Sequence, residues 1–392
     1  MARLGDICEI LNGFAFKSEQ YVDSGVRIIR IANVQKGYIE DNSPVYYPAK
    51  SNEAQKYALY NDDLLISLTG NVGRVALLEE KYLPAALNQR VACLRIKDSV
   101  KLSKKFLYHI LNSDYFEEMC IASSKGVAQK NMSTEWLKEY NIPLPSAEKQ
   151  SQIVNTLDKL DTLIFVRKQQ LAKLDELVKA RFVEMFGDPF NNRKWNVQKL
   201  RNISVSISDG SNVDQTYYQE KGDVLFLRIQ NVWFNEFRLD DSVYISEEIN
   251  NEYHDTSLHY GDLLITKIGR YYTRDSSLGR VSVYLGENDK ANYSNNIMRV
   301  RLTDEVCSQF VNILMNLEDY NRYIRGVSVG GTDKRALSKA IVGDFPIIMP
   351  PKELQIEFLE FAEQTGKSKL TIQQSLDKLE VLKKSLMQEY FG

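Results

Sequence analysis

The chain has 392 residues, 43% of them hydrophobic and 10% aromatic, and a formal net charge of −2. That length exceeds what one core ordinarily holds and predicts two domains with connectors, while the apolar content excludes a disordered chain. Balanced charge argues against a protein that grips nucleic acid through its bulk field. It leaves local basic patches, or a partner that supplies positive charge.

The opening segment "MARLGDICEI" lacks the apolar stretch of a signal peptide, and no run reaches the ~18 apolar residues of a membrane span. A soluble, cytoplasmic protein with no membrane contact is expected. Cys8, Cys93, Cys120 and Cys307 have no C-x-x-C spacing and no clustering with His109, His254 or His259. Reduced thiols and no metal site are the expectation.

Short β-branched runs follow in order: "RIIRIANV" from Arg27, "DLLISLTG" from Asp63, "RVALLE" from Arg74 and "RVACLRI" from Arg90. Bounded by Asn, Asp and Gly, they read as strands. A short helix is predicted over "KKFLYHILNSDYFEEMC", then a Gly- and Lys-bearing turn "KGVAQKNMS". Such a turn suits either a phosphate contact or a flexible tether. Pro143 and Pro145 close the globular part. About forty residues without proline come next, with Ile153, Leu157, Leu160, Ile164, Leu171, Leu174 and Val178 at heptad spacing and Arg167 interrupting.

The chain then repeats itself. "VLFLRIQNV", "DLLITKIG", "RVSVYL" and "NIMRVRL" replay the strands, and "SQFVNILMNLEDYNRYI" replays the helix. Arg30, Ile31, Asn33 and Val34 recur as Arg228, Ile229, Asn231 and Val232. The offset grows from 199 at Asp63/Asp262 to 206 at Gly73/Gly279, so the second copy gains a seven-residue loop insertion around "GRYYTRDSS". Insertions in loops on a fixed scaffold are where recognition usually sits. "GGTDKRALS" takes the place of the first Gly-rich turn, and a second long helix carries Phe358, Ala362, Ile372, Leu376, Leu379 and Leu386 in register. The copies end alike, Phe186-Gly187 on Phe391-Gly392. An internal duplication is the cause. Neither helix can bury its stripe alone, so an intramolecular, antiparallel coiled coil is expected, acting as a ruler between two like domains.

Catalytic motifs are missing. The chain has no G-x-x-x-x-G-K-[ST] loop, no G-x-G-x-x-G and no [DNS]-P-P-[YFW]. "GVSVG", Gly326 to Gly330, fits the nucleophile elbow by letters, with Ser328 as nucleophile. A helix-like segment precedes it and no histidine follows it, so a Gly-rich turn is the better reading and a serine hydrolase the remote one.

These features together resemble the specificity subunit of a type I restriction–modification system. The resemblance spans the whole chain and rests on "GVAQKNMS", "NIPLPSAEKQSQI" and "MFGD". In the second copy "GTDKRALS" and "KELQIEF" depart in detail. It implies an α+β fold of two internally repeated, strand-rich target recognition domains, residues 1–146 and 188–350. They are separated by two long helices, 147–187 and 351–392, forming an antiparallel coiled coil. It also implies a non-catalytic DNA-binding chain, each domain reading one half of a bipartite double-stranded target. The helices would set the spacing and dock two methyltransferase (modification) subunits, which would hold S-adenosylmethionine, with restriction subunits in the full complex. A DNA-binding adaptor of another defence or modification complex is the alternative of the same class.

Polar residues at the loop ends of the strands are the candidate DNA contacts. In the first domain they are Lys17, Arg30, Asn33, Thr69, Asn71, Arg74, Gln89, Arg90, Lys125, Gln129 and Lys130. In the second they are Arg228, Asn231, Lys267, Arg270, Tyr271, Tyr272, Arg274, Arg280, Asn295, Lys334 and Arg335. Arg and Lys pair with guanine, Asn and Gln with adenine, and any of them can hold a phosphate instead. Recurrence of Arg30/Arg228 and Asn33/Asn231 points to a job common to both copies, such as backbone contact or sheet packing, rather than base choice.

Overall fold

The computed structural model describes residues 1–124, 131–191, 194–273 and 275–392. The chain forms two compact units, Met1–Gln169 with Ile372–Gly392, and Gln170–Thr371. It is an α+β fold in which each unit has a four-stranded main sheet, a second sheet beside it, smaller strand pairings, short helices and part of both long helices.

In the first unit the main sheet is antiparallel, in the order Cys8–Asn12, Val91–Ile96, Leu64–Ser67, Val75–Leu77. A second sheet has the order Tyr46–Tyr47, Val26–Ile29, Ala85–Leu87, Ala58–Leu59, with its middle pair parallel. "DLLIS" shows why these layers stack. Side chains alternate across a strand, so Leu64 and Ile66 face a core shared with Phe106, Leu107 and Ile110 of the helix Lys104–Leu111. Leu65 faces the other way, into a core with Ile29 and Leu87 of the second sheet. A strand buried on both faces reads as a continuous apolar run instead of an alternating one.

The second unit repeats the plan. Its main sheet is ordered Ser204–Asp209, Ile297–Leu302, Leu263–Thr266, Val281–Val283, and its second sheet Val243–Ile245, Val224–Leu227, Ala291–Tyr293. Leu263 and Ile265 pack on the helix side, and Leu264 faces Leu227 and Tyr293. The predicted strands are present in both copies. Each predicted short helix is instead two. Lys104–Leu111 gives way to Asp114–Ser123 where the Ser113 hydroxyl caps the Phe116 N–H at 3.1 Å. Ser308–Met315 and Glu318–Val327 break at the equivalent point.

"RALS" is not a tether. Lys334–Ala336 is a strand pairing with both Ile268–Arg270 and Val329–Gly330. Ser338 then caps the helix Lys339–Gly343, as Ser133 caps Thr134–Glu139.

The long helices run Ala147–Phe186 and Lys352–Phe391. A buried glutamine fixes each start. The Gln150 side-chain oxygen accepts from the Ser103 N–H (2.8 Å) while its amide donates to the Pro145 carbonyl (2.9 Å). Gln355 does the same with the Cys307 N–H and the Pro350 carbonyl, both at 2.9 Å. Within each unit the helix segments pair antiparallel: Lys168 meets Glu380 at 2.8 Å in the first, and Arg181 meets Glu357 at 3.4 Å in the second. The seam is deepest at its ends, with Ile153, Leu157 and Leu160 buried in the first unit and Phe358 in the second.

The repeated Phe-Gly closes each helix. Gly187 takes φ +77°, which favours glycine at a helix C-terminus, and its N–H returns to the Val183 carbonyl at 2.8 Å. Phe186 is buried against Phe310, ring centroids 5.0 Å apart. Phe391 packs on Phe106, the equivalent residue of the first copy, at 5.7 Å. Each unit therefore takes its closing phenylalanine from the helix that began in the other.

Truncating that ring removes about 3 kcal/mol of packing. Phe391→Ala should raise hydrogen exchange in Val91–Ile96 and leave Ile297–Leu302 protected; Phe186→Ala should do the reverse. Equal loss in both strands from either variant would contradict this assignment.

Candidate nucleic-acid interface

A frame of buried polar residues holds the strand ends of both units in the same way. Gly13 and Gly210 pass so close to a neighbouring strand that a Cβ would stand 2.2 Å from the Asn88 carbonyl oxygen and 2.3 Å from that of Ser294. Asn33 accepts the Arg30 N–H at 2.8 Å and donates to the Glu40 carbonyl at 2.9 Å. Asn231 accepts the Arg228 N–H and donates to the Arg238 carbonyl, both at 2.9 Å. The paired carboxylates repeat too. Asp63 takes Arg95 through both oxygens (2.9 and 2.6 Å), and Asp262 takes Arg301 (2.7 and 2.7 Å).

This frame engages several predicted contacts. Asn33 and Asn231 are 5% and 0% exposed, with their amides bonded internally. They have no surface to offer a base. Arg30 donates to the Ser43 carbonyl at 2.8 Å, and Arg228 pairs with Asp241 at 3.1 Å. Arg280 is 5% exposed and is held by the carbonyls of Ser276 (3.0 Å) and Asp275 (2.6 Å). Its guanidinium lies 3.7 Å from the Trp233 ring centroid, opposite Arg238 at 3.4 Å. Lys267 is bound to Asp209 at 2.6 Å. These side chains brace the strand ends.

Other predicted residues are on the surface. In the first unit Lys17, Asn71, Gln89 and Arg90 are exposed, Thr69 is half-buried in a bridge to Asn131, and half-buried Arg74 donates to Gln35. In the second unit the strand pair Ile268–Arg270 and Lys334–Ala336 brings together Arg270, Lys334 and Arg335. Arg335 covers the Tyr271 ring at 3.8 Å, Arg270 is 3.6 Å from Asp333, and Tyr272 is fully outside. The inserted loop is thus built onto a three-stranded ribbon carrying cations. Lys125, Gln129, Lys130 and Arg274 lie outside the described residues.

Beside the ribbon in the same unit is a polar cleft of about 880 Å³. Its rim includes Asn212, Gln215, Gln230, Asn295 and Asn296, of which only Asn295 was singled out by sequence. Asn295 donates to the Asn212 side chain at 3.1 Å. Arg228 lines the cleft but is paired, and Asp214 adds a negative charge. A groove of about 490 Å³, lined by Arg270 and Lys334, shares Ile229 and Asn296 with the cleft. Loops at the ends of a fixed scaffold thus present neutral hydrogen-bonding groups next to cations, the two kinds of contact that base edges and phosphates need.

Among the described residues the one catalytic pattern the sequence offers does not have the geometry it needs. Ser328 follows the helix Glu318–Val327, is buried, and donates to the Arg325 carbonyl at 2.6 Å. The nucleophile elbow requires the opposite order, strand then helix. Among the described residues no group of three or more His, Cys, Asp or Glu could hold a metal ion. Burial pushes the Cys8 thiol up to about 11, which keeps it protonated and unreactive. No helix among the described residues is long and apolar enough to cross a membrane.

Known proteins resemble this chain in sequence and in fold. Residues 1–176 match the model of the type I restriction modification DNA specificity domain. The EcoBI type I restriction enzyme specificity subunit of Escherichia coli is 25% identical over 324 residues, 76% of this chain and 64% of that one. The chain thus spans just under two thirds of that relative. The StySPI specificity subunit of Salmonella potsdam is 21% identical over 386 residues, 93% of this chain and 81% of its own. The crystal structure of the type I S subunit from M. genitalium superposes with a TM-score of 0.54 at 15% identity, covering 100% of this chain and 95% of that one. It shares the fold.

Arg280 anchors the inserted loop, so Arg280→Ala should cost about 2–3 kcal/mol, because the carbonyls of Ser276, Asp275 and, at 3.4 Å, Val232 lose a charged donor. Hydrogen exchange should rise first in Ile268–Arg270. Arg280→Lys should recover less than half of the loss, since an ammonium lacks the planar fork that meets the carbonyls and stacks on Trp233. Full recovery by lysine would assign the effect to charge alone.

Proposed function

We propose that the chain is a type I restriction–modification specificity subunit, the family its first 176 residues match, and that it selects the DNA sequence on which such a complex acts. It is a non-catalytic subunit. Each unit reads one half of a bipartite double-stranded target. The two helices set the distance between the halves and dock two methyltransferase subunits, which bind S-adenosylmethionine and carry the chemistry. Restriction subunits complete the assembly.

The observation that carries this reading is the duplication of a braced scaffold under two unlike surfaces. One frame (Gly13, Asn33 and Asp63; Gly210, Asn231 and Asp262) presents exposed polar groups that differ between the units. That is what reading two different half-sites from one plan requires. The long helices also leave Phe165, Leu370 and Val381 more than half exposed, and large apolar side chains outside a helix pair suit protein partners. Near-neutral charge fits a subunit that shares DNA affinity with those partners.

The test is methylation by co-expressed methyltransferase and specificity chains, with modified sites mapped by sequencing. A split motif with a fixed non-specific spacer is expected, and no methylation by this chain alone. Methylation with no common motif would overturn the reading.

The spacing role has its own test. Seven residues inserted in both helices, at Gln169/Gln170 and Thr371/Ile372, preserve the heptad register and lengthen the pair by about 10 Å. At 3.4 Å per base pair this is about three steps. The variant should recognise both half-sites across a spacer about three base pairs longer. An unchanged spacer in a folded, active assembly would restrict the helices to docking.

A further inference from the structure

The duplication allows the two units to be compared position by position at the mouth of the cleft. The parallel bridges Phe14–Asn88 and Ser211–Ser294 fix the correspondence. Ala15 then matches Asn212, Ser18 matches Gln215, Ala32 matches Gln230, Gln89 matches Asn295, and Arg90 matches Asn296. Directly beneath, the frame residues are identical: Gly13 and Gly210, Arg30 and Arg228, Asn33 and Asn231. The support is constant and the rim is replaced.

Replacement has a direction. In the second unit all five rim positions are side-chain amides, and the nearest cation, Arg228, is paired with Asp241. Asp214 opposes a phosphate. An amide presents a donor and an acceptor together, the pattern that matches N7 and the N6 amino group of adenine, whereas a phosphate offers acceptors alone. Gln215 is exposed, and among the described residues no hydrogen bond engages its side chain. The adjoining groove has the cations, Arg270 and Lys334.

Building on the proposed function, we infer that the rim of this cleft is the base-reading surface of the second unit, that it reads adenine edges of A·T pairs through Gln215, Gln230 and Asn296, and that the neighbouring ribbon holds the phosphates. The equivalent rim of the first unit, with Gln89 and Arg90, reads adenine and guanine. The cleft therefore sets sequence, and the inserted loop sets position.

The experiment uses the chain assembled with its methyltransferase subunits and a library of DNA sites. Asn296→Arg, which installs the first unit's residue, should exchange an A·T for a G·C preference at one position of one half-site and leave the other half-site intact. Gln215→Ala removes an exposed side chain without a hydrogen bond, so folding is undisturbed. It should lose about 5- to 150-fold in affinity for the preferred base at one position. Arg270→Ala and Lys334→Ala should weaken all sequences alike and flatten the salt dependence by about one unit of slope per phosphate. If wild type selects a split motif and both rim variants keep it unchanged, the inference is overturned and the proposed function stands. Uniform weakening by Gln215→Ala would also overturn it, making the rim a phosphate contact. If wild type selects no motif, the proposed function itself fails.

Discussion

Each unit depends on a phenylalanine that it does not supply in sequence order. Phe391 closes on Phe106 and Phe186 on Phe310, both at the end of a long helix whose start is stapled by a buried glutamine. A helix of forty residues with a shallow seam, half-buried over most of its middle, would gain little from its own pairing. Burying its first and last turns in the packed cores of folded units makes the helix part of those cores. This exchange explains why the chain must use the same words twice: the two sockets are copies, and so are the plugs.

The same economy governs the polar frame. A buried donor or acceptor without a partner costs about 1–3 kcal/mol, so a network such as Arg30–Asn33–Glu40 changes only as a whole. Arg228–Asn231–Arg238 therefore keeps the same geometry on a different sequence background. An exposed amide has water as its alternative partner and is free to change. Constancy below and variation above follow from solvation, and a scaffold built this way can alter what it presents without altering its fold.

How much of this was legible in the sequence follows from the same distinction. The duplication, the strands with continuous apolar runs and the long helices could be read directly, because apolar periodicity is enforced by burial. "CEILN" and "SVSISD" could not: these edge strands of the main sheets have only one neighbour and weak patterning. The break at Asn112-Ser113 hid inside a helical pattern, because only the Ser113 cap distinguishes it. At the site, residue type alone leaves the role open, since the hydrogen-bonding capacity that suits a base suits a buried carbonyl equally: recurrence in both copies points Asn231 to sheet packing, and it is buried and bonded internally, whereas nothing in the sequence marks Arg280 as the buried brace it is. If the cleft rim reads bases, the signal for Asn212, Gln215, Gln230 and Asn296 lies in the alignment of the copies. They are the positions that differ where the frame beside them does not.

The pairing of cations bears on how such a chain can be selective. Lys267 is held by Asp209, Arg228 by Asp241 and Arg301 by Asp262, so much of the positive charge near the strand ends is neutralised within the fold. Long-range attraction to a polyanion scales with unpaired cations and is blind to sequence, whereas an amide gives no attraction beyond contact distance. A surface that pairs its cations and presents amides therefore has little affinity for the wrong sequence. On the proposed reading this chain contributes discrimination at its rim, and the attraction that makes discrimination useful is shared between the cations of its ribbon and the subunits docked beside it.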